Sequence, residues 1–213
     1  MEKYNVISFS LWGDNPRYLD GVLENLKLAP EVYPNWKVRI YADETVPKDI
    51  LKQAKKEFEA DIRLVGDKKG THYGAYWRFF VNDDPNVDHY IIRDMDSRLN
   101  SREQAAVAEW LDSGKKFHIM RDHPHHTFEM QAGMWGGTTG VFEIVPLMLD
   151  WGLYNGFGCD QFFLKEKIYP RIKDDCIVHD PFYDKKPFPE HKPMQNEGSF
   201  VGQIYLNNVP QVP

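Results

Sequence analysis

The chain has 213 residues, enough for one substantial core, and its 42% hydrophobic and 27% charged residues are ordinary for a globular protein in water. A formal net charge of −6 excludes broad electrostatic attraction to nucleic acid, though not a local nucleotide site. No run approaches the roughly 20 apolar residues that a membrane span requires.

YNVISFSLW (Tyr4 to Trp12) reads as a buried strand closed by the turn signal Gly13-Asp14-Asn15-Pro16. No basic segment and small-residue cleavage site accompany it, so it is taken as the first core strand and not as a signal peptide. RYLDGVLENLKLA follows with the spacing of an amphipathic helix. WKVRIYAD (Trp36 to Asp43) is a second strand, a helix follows Pro47, and DIRLVG (Asp61 to Gly66) is a third strand. THYGAYWRFFVNDDP predicts a helix stopped near Pro85, with Trp77 in the core.

HYIIRDMDSRL (His89 to Leu99) is the fourth strand, and it ends on two carboxylates, Asp94 and Asp96. A helix, REQAAVAEWLDSG, follows with Asn100 or Ser101 as its cap and Gly114 as its stop, and KFHIM (Lys116 to Met120) is the fifth strand. Alternating strands and helices predict an α/β sandwich with a mostly parallel sheet. Beyond Arg121, DHPHHTFEMQAGMWGGTTG has few strand signals and is expected to be a loop system with few core duties. A helix near Glu143 to Tyr154, the segment GFGCDQFFLKEKIYPRI, a short strand CIVHD and a Pro-rich tail complete the chain. Cys159 and Cys176 are too few for a disulfide framework and lack metal-motif spacing, which suits a reduced pair in a cytosolic protein.

Ligands of open α/β sheets collect outside the carboxyl ends of the strands. Two residues apart on a strand, Asp94 and Asp96 share a face and can converge on one hard cation, Mg²⁺ or Mn²⁺, that keeps positions open for diphosphate and water. A solvated acidic turn is the plain alternative. His123, His125 and His126 lack the helical spacing and Cys partners of a zinc site and read as loop residues near a substrate.

The strand-terminal RDMDS after three strand–helix units, together with DMDSRL, QAGMWGG, GCDQFFL and EGSFVGQ, resembles the nucleotide-sugar glycosyltransferases of the GT-A fold, and more specifically the compact enzymes encoded by chlorella viruses. The resemblance spans nearly the whole chain. It implies a single three-layer α/β domain over 1–213 with a mixed, mostly parallel sheet, a nucleotide-binding half (1–99) and an acceptor half (100–213). It also implies transfer of a hexose from a UDP-sugar to a glycan or glycoprotein, with Mn²⁺ or Mg²⁺, in the host cytoplasm, and it favours retention.

Carried onto this sequence, the family pattern puts Asp94 and Asp96 at the metal, with His179 in CIVHD as the late ligand; imidazole tilts the choice toward manganese. The donor nucleotide is expected against Ser8, Phe9, Leu11, Trp12, Asp43 and Tyr73, with Asp94 and Met95 at the diphosphate and Arg78 offering a planar fork to phosphate or carboxylate. Asp160 is the candidate catalytic carboxylate, while Asp122 and Gln131 would hold sugar hydroxyls and Gly133, Trp135 and Gly136 would let backbone and an aromatic face approach the sugar. Arg93 is expected to point away from Asp94 and pair with a neighbouring acid. The rivals are a haloacid dehalogenase-like phosphatase, with Asp174 and Asp175 as its later acids, and a non-catalytic carbohydrate-binding module.

Overall fold

The period-two pattern of β1 (Tyr4–Leu11) separates its two faces. Ile7, Phe9 and Leu11 enter one apolar cluster with Val22, Leu26 and Ala29, whereas Val6 enters another with Phe79, Tyr90 and Ile92. A computed structural model describes residues 3–66, 71–152, 155–195 and 197–211.

The apolar stripe of α1 (Pro16–Val32) covers the first of these faces, with Asn15 as its cap. Next come β2 (Trp36–Ala42), α2 (Lys48–Phe58) and β3 (Asp61–Leu64). The other face is covered by α3 (Gly74–Trp77), which tightens into a 3₁₀ helix over Arg78–Asp83 just before Pro85. β4 (Val87–Arg93) stops sooner than the sequence suggests. Beyond it the chain turns, with the backbone N–H and Oγ of Ser97 donating to the Asp94 carbonyl at 3.2 and 2.8 Å.

Asn100 caps α4 (Ser101–Ser113) by accepting from the Glu103 N–H at 2.9 Å, and left-handed Gly114 ends it. Arg93 pairs with Glu103 at 3.1 Å, the neighbouring acid anticipated for it. β5 (Phe117–Met120) follows.

The glycine-rich stretch corrects one expectation: its residues Met134–Thr138 form β6, a buried strand between β4 and β5. Its glycines are steric necessities, because a Cβ at Gly136 would lie 2.6 Å from the Tyr90 carbonyl and one at Gly137 2.6 Å from the Tyr90 hydroxyl. α5 (Ile144–Trp151), α6 (Cys159–Phe163), a π turn (Leu164–Ile168), α7 (Tyr169–Ile172) and β7 (Cys176–His179) follow; Tyr154, expected in the first of these, lies outside the described residues.

The sheet has seven strands in the order β3-β2-β1-β4-β6-β5-β7, and only β6 runs against the rest. Helices lie on both faces, which makes a three-layer α/β sandwich with a mixed, mostly parallel sheet. A short hairpin, β8 (Tyr205–Leu206) with β9 (Val209–Pro210), turns on Asn207 and Asn208, both at positive φ. No helix among the described residues is long and apolar enough to cross a membrane.

Candidate active site

With six strands aligned, their carboxyl ends share one edge of the sheet, and the acidic turn after β4 lies at its middle. The two acids differ. Asp94 keeps 45% of its side chain exposed, whereas Asp96 keeps 9%. Both acids lie in the turn after β4, which has already ended at Arg93, so strand alternation does not orient them.

Arg78 joins the site's distant parts. Its Nη1 donates to Asp94 and its Nη2 donates to Asp160 Oδ2 at 2.6 Å, so one guanidinium bridges two carboxylates. Two serines of β1 hold its backbone: Ser10 Oγ accepts from the Arg78 N–H at 2.8 Å, and Ser8 Oγ donates to the Arg78 carbonyl at 2.7 Å. Burial opposes the charge on Arg78, but Asp94 and Asp160 outweigh it and raise its pKa. The predicted fork is therefore directed at carboxylates, and its Nε is buried without a partner among the described residues.

Asp160 stands in the first turn of α6, where its Oδ1 also accepts from the Gln161 N–H at 2.9 Å. Gln161 in turn ties this turn to the loop between β5 and β6, its Oε1 accepting from the Ala132 N–H at 2.9 Å. Gly133 comes next in that loop, and a Cβ there would lie 2.0 Å from Asp94 Oδ2.

Asp96 pairs with Arg17, whose Nε donates to Oδ2 at 2.7 Å. Burial and the negative charge of Asp94 nevertheless raise the Asp96 pKa, against the pull of Arg17. The negative charge of Asp94 is thus felt at Asp96 even with Arg17 in place. That suits a divalent cation of the kind bound through one or two carboxylates, with water and phosphate completing its shell. No cluster of three or more potential protein ligands occurs among the described residues.

Several expected contacts are corrected. His179 is enclosed, with Nδ1 2.8 Å from His118 Nε2 and Nε2 3.6 Å from Glu109. It lies three strands from β4, roughly 14 Å at ordinary strand spacing, and cannot join the acidic pair. Trp135 is fully buried between Phe79 and Tyr90, and Gly136 is packed beneath Trp110, so neither faces a sugar. Phe9, Leu11 and Met95 are core residues against α1, and Ser8 is enclosed at Arg78. Asp43 is fully buried, its Oδ1 accepting from the Thr45 N–H at 3.0 Å, and Thr45 Oγ1 accepts from the Gly13 N–H at 2.7 Å.

Asp122 is likewise buried: Arg102 donates to both of its oxygens at 2.6 and 2.8 Å, and the Val201 N–H donates at 2.9 Å, fastening the C-terminal segment. Gln131 bonds the Phe128 carbonyl in its own loop at 3.3 Å. Trp12 and Tyr73 remain half-buried, and Trp12 packs on Trp77 and against Gly74. His123 and His126 pack on Phe200, and burial together with His123 pushes His126 down to about 4.

Sequence reasoning missed Arg17. The signal was available: Arg17, Gly21 and Asn25 recur every fourth residue on α1, a stripe of polar and small residues beside an apolar face.

No family model and no curated protein matches the chain. Solved structures do. The galactosyltransferase LgtC in complex with donor and acceptor sugar analogs aligns over 83% of this chain and 73% of its own, at 12% identity and a TM-score of 0.55. The mannosyltransferase PcManGT from Pyrobaculum calidifontis, in complex with GDP-Man and Mn²⁺, aligns over 92% of this chain and 59% of its own, at 10% identity and a TM-score of 0.54. The 4-diphosphocytidyl-2C-methyl-D-erythritol synthase from Anaerococcus prevotii DSM 20548 aligns over 84% and 87%, at 11% identity and a TM-score of 0.51. The fold is that of the GT-A glycosyltransferases.

Proposed function

We propose that this chain is a glycosyltransferase that moves a hexose from a UDP-sugar, of UDP-glucose type, to a glycan or glycoprotein. The observation that carries the reading is the convergence of Asp94 and Asp160 on Arg78 at the carboxyl edge of a GT-A sheet. It places a half-exposed acid beside a second acid from the chain's later half, as a donor diphosphate and a sugar require on neighbouring sides.

Glycosyl transfer builds positive charge on the sugar ring and negative charge on the departing diphosphate. Asp94 and Asp96 are the residues that would hold Mn²⁺ or Mg²⁺, which when bound supplies positive charge to the leaving group. Asp160 serves the sugar side, with Arg78 fixing its carboxylate in position. Retention and a virion glycan as acceptor, made in the host cytoplasm, belong to the proposal through the resemblance of the motifs to the chlorella virus enzymes. So does the division into a nucleotide half and an acceptor half.

The phosphatase reading loses its support, since Asp174 and Asp175 sit in the 3₁₀ turn that leads into β7, at the amino end of that strand. A sugar-binding module would favour exposed tryptophan faces, yet Trp77, Trp110 and Trp135 are core residues, and the exposed aromatics among the described residues are Phe157, Phe162, Phe182 and Tyr183.

The test is a donor screen that reads UDP release from several UDP-sugars with and without Mn²⁺. The expected result is metal-stimulated release from one donor. Release of pyrophosphate from a nucleoside triphosphate, with no turnover of any nucleotide sugar, would instead indicate a nucleotidyltransferase.

A further inference from the structure

We infer that Arg17 is a positioning cation that exchanges partners, leaving Asp96 when a divalent cation arrives and turning to the donor diphosphate; this rests on the reading proposed above.

The geometry begins with α1. Arg17, Gly21 and Asn25 share one face of the helix, and all three meet the acidic turn. A Cβ on Gly21 would lie 1.7 Å from the Met95 carbonyl, so only glycine lets the helix press this close. The Asn25 amide donates to the Met95 and Ser97 carbonyls at 3.2 and 3.0 Å, and its oxygen accepts from the Leu99 N–H at 3.1 Å. Helix and turn are thereby joined as one piece, and Arg17 is held within reach of whatever occupies the turn.

Arg17 differs from Arg78 in how it is held. The Arg78 guanidinium is buried and grips two acids, whereas the Arg17 side chain is 34% exposed and pairs with one acid, Asp96, among the described residues. Charge balance supplies the motive for exchange. Among the described residues, Asp94, Asp96 and Asp160 form ion pairs with two guanidinium groups, Arg17 and Arg78, which leaves three acids sharing two paired cations. A divalent cation on the acids competes directly with Arg17 for Asp96, and a diphosphate arriving with it brings new negative charge to the same place. Arg17, released from Asp96, then has an anionic partner to turn to, since phosphate accepts the fork of an arginine as a carboxylate does.

Two effects of opposite sign follow. Removing Arg17 removes the competitor for Asp96, so Mn²⁺ alone should bind several-fold more tightly. It also removes a charged hydrogen bond to phosphate, so UDP in the presence of saturating Mn²⁺ should bind about tenfold more weakly or worse. A residue that merely props up the turn would weaken both.

The experiment titrates Mn²⁺ alone by electron paramagnetic resonance and UDP by calorimetry at saturating Mn²⁺, for wild type, Arg17→Ala and the milder Arg17→Gln. Circular dichroism verifies the fold of each. Tighter Mn²⁺ with weaker UDP in a folded variant bears the inference out. Unchanged or weaker Mn²⁺ binding, or unchanged UDP binding, overturns it while leaving the glycosyltransferase reading standing. Wild-type protein that binds neither Mn²⁺ nor UDP would sink both, and does so before any variant is made.

Discussion

Gly133 faces Asp94 so closely that a Cβ on the glycine would lie 2.0 Å from Oδ2 and 2.4 Å from Cγ of the acid. The missing side chain is what lets Asp94 stand beside Arg78 with its outer surface open. Gly133→Ala should therefore displace Asp94 without unfolding the protein. Calorimetry with UDP and Mn²⁺ should show an affinity loss of about tenfold, corresponding to roughly 1.4 kcal/mol. Unaltered affinity would mean that Asp94 does not meet the donor.

Asp96→Asn should abolish Mn²⁺-dependent UDP binding in a folded protein. The stability effect has a definite sign. The Asp96 pKa is raised by burial and by Asp94, so in wild type the folded state holds a proton more tightly than the unfolded state, and stability is lost as pH rises out of the ordinary carboxylate range. The asparagine variant lacks that loss, and metal-free melting curves from pH 4 to 7 should fall less steeply than those of wild type.

Arg78→Lys should be more damaging than its conserved charge suggests. Lysine cannot reach Asp94 and Asp160 together in the planar geometry of the guanidinium, and it leaves a buried acid short of a partner. A stability loss of about 2–4 kcal/mol is expected by urea titration. In the folded fraction, kcat should fall more than the donor KM rises, because Asp160 loses its anchor.

Asp160→Asn should separate chemistry from binding. Turnover should drop by about 10²-fold or more while UDP affinity holds within a few-fold. A loss confined to UDP affinity would move Asp160 from the sugar to the nucleotide.

The loop above the site should be sensitive to acid. His126 accepts a hydrogen bond from the Asp122 N–H at 3.0 Å, which needs a neutral ring, and its pKa is pushed down to about 4. A histidine depressed in the folded state leaves stability intact above its unfolded pKa near 6.5 and costs stability as pH falls toward 4. The expected cost is about 2–3 kcal/mol by pH 4. His118, buried and also depressed, adds to the same slope. His126→Gln should flatten part of it in denaturation curves taken at several pH values.

Local chemistry determined much of this protein. Apolar runs marked six of the seven strands of the main sheet, Asn100 and Gly114 marked the ends of a helix, and an apolar strand running into Asp94 and Asp96 marked the edge where the candidate site stands. Those signals are legible because they arise between residues close in the chain. The tertiary structure decided the rest. β6 hid among glycines because its glycines answer to Tyr90, Trp110 and Phe117, which only the folded sheet brings near. His179, Trp135 and Asp122 had suitable chemistry but were drawn into other pairings or into the core, since burial depends on what packs above a strand and not on the strand's own text. The bridge from Asp94 through Arg78 to Asp160 depends on a distance in space that no spacing along the chain encodes.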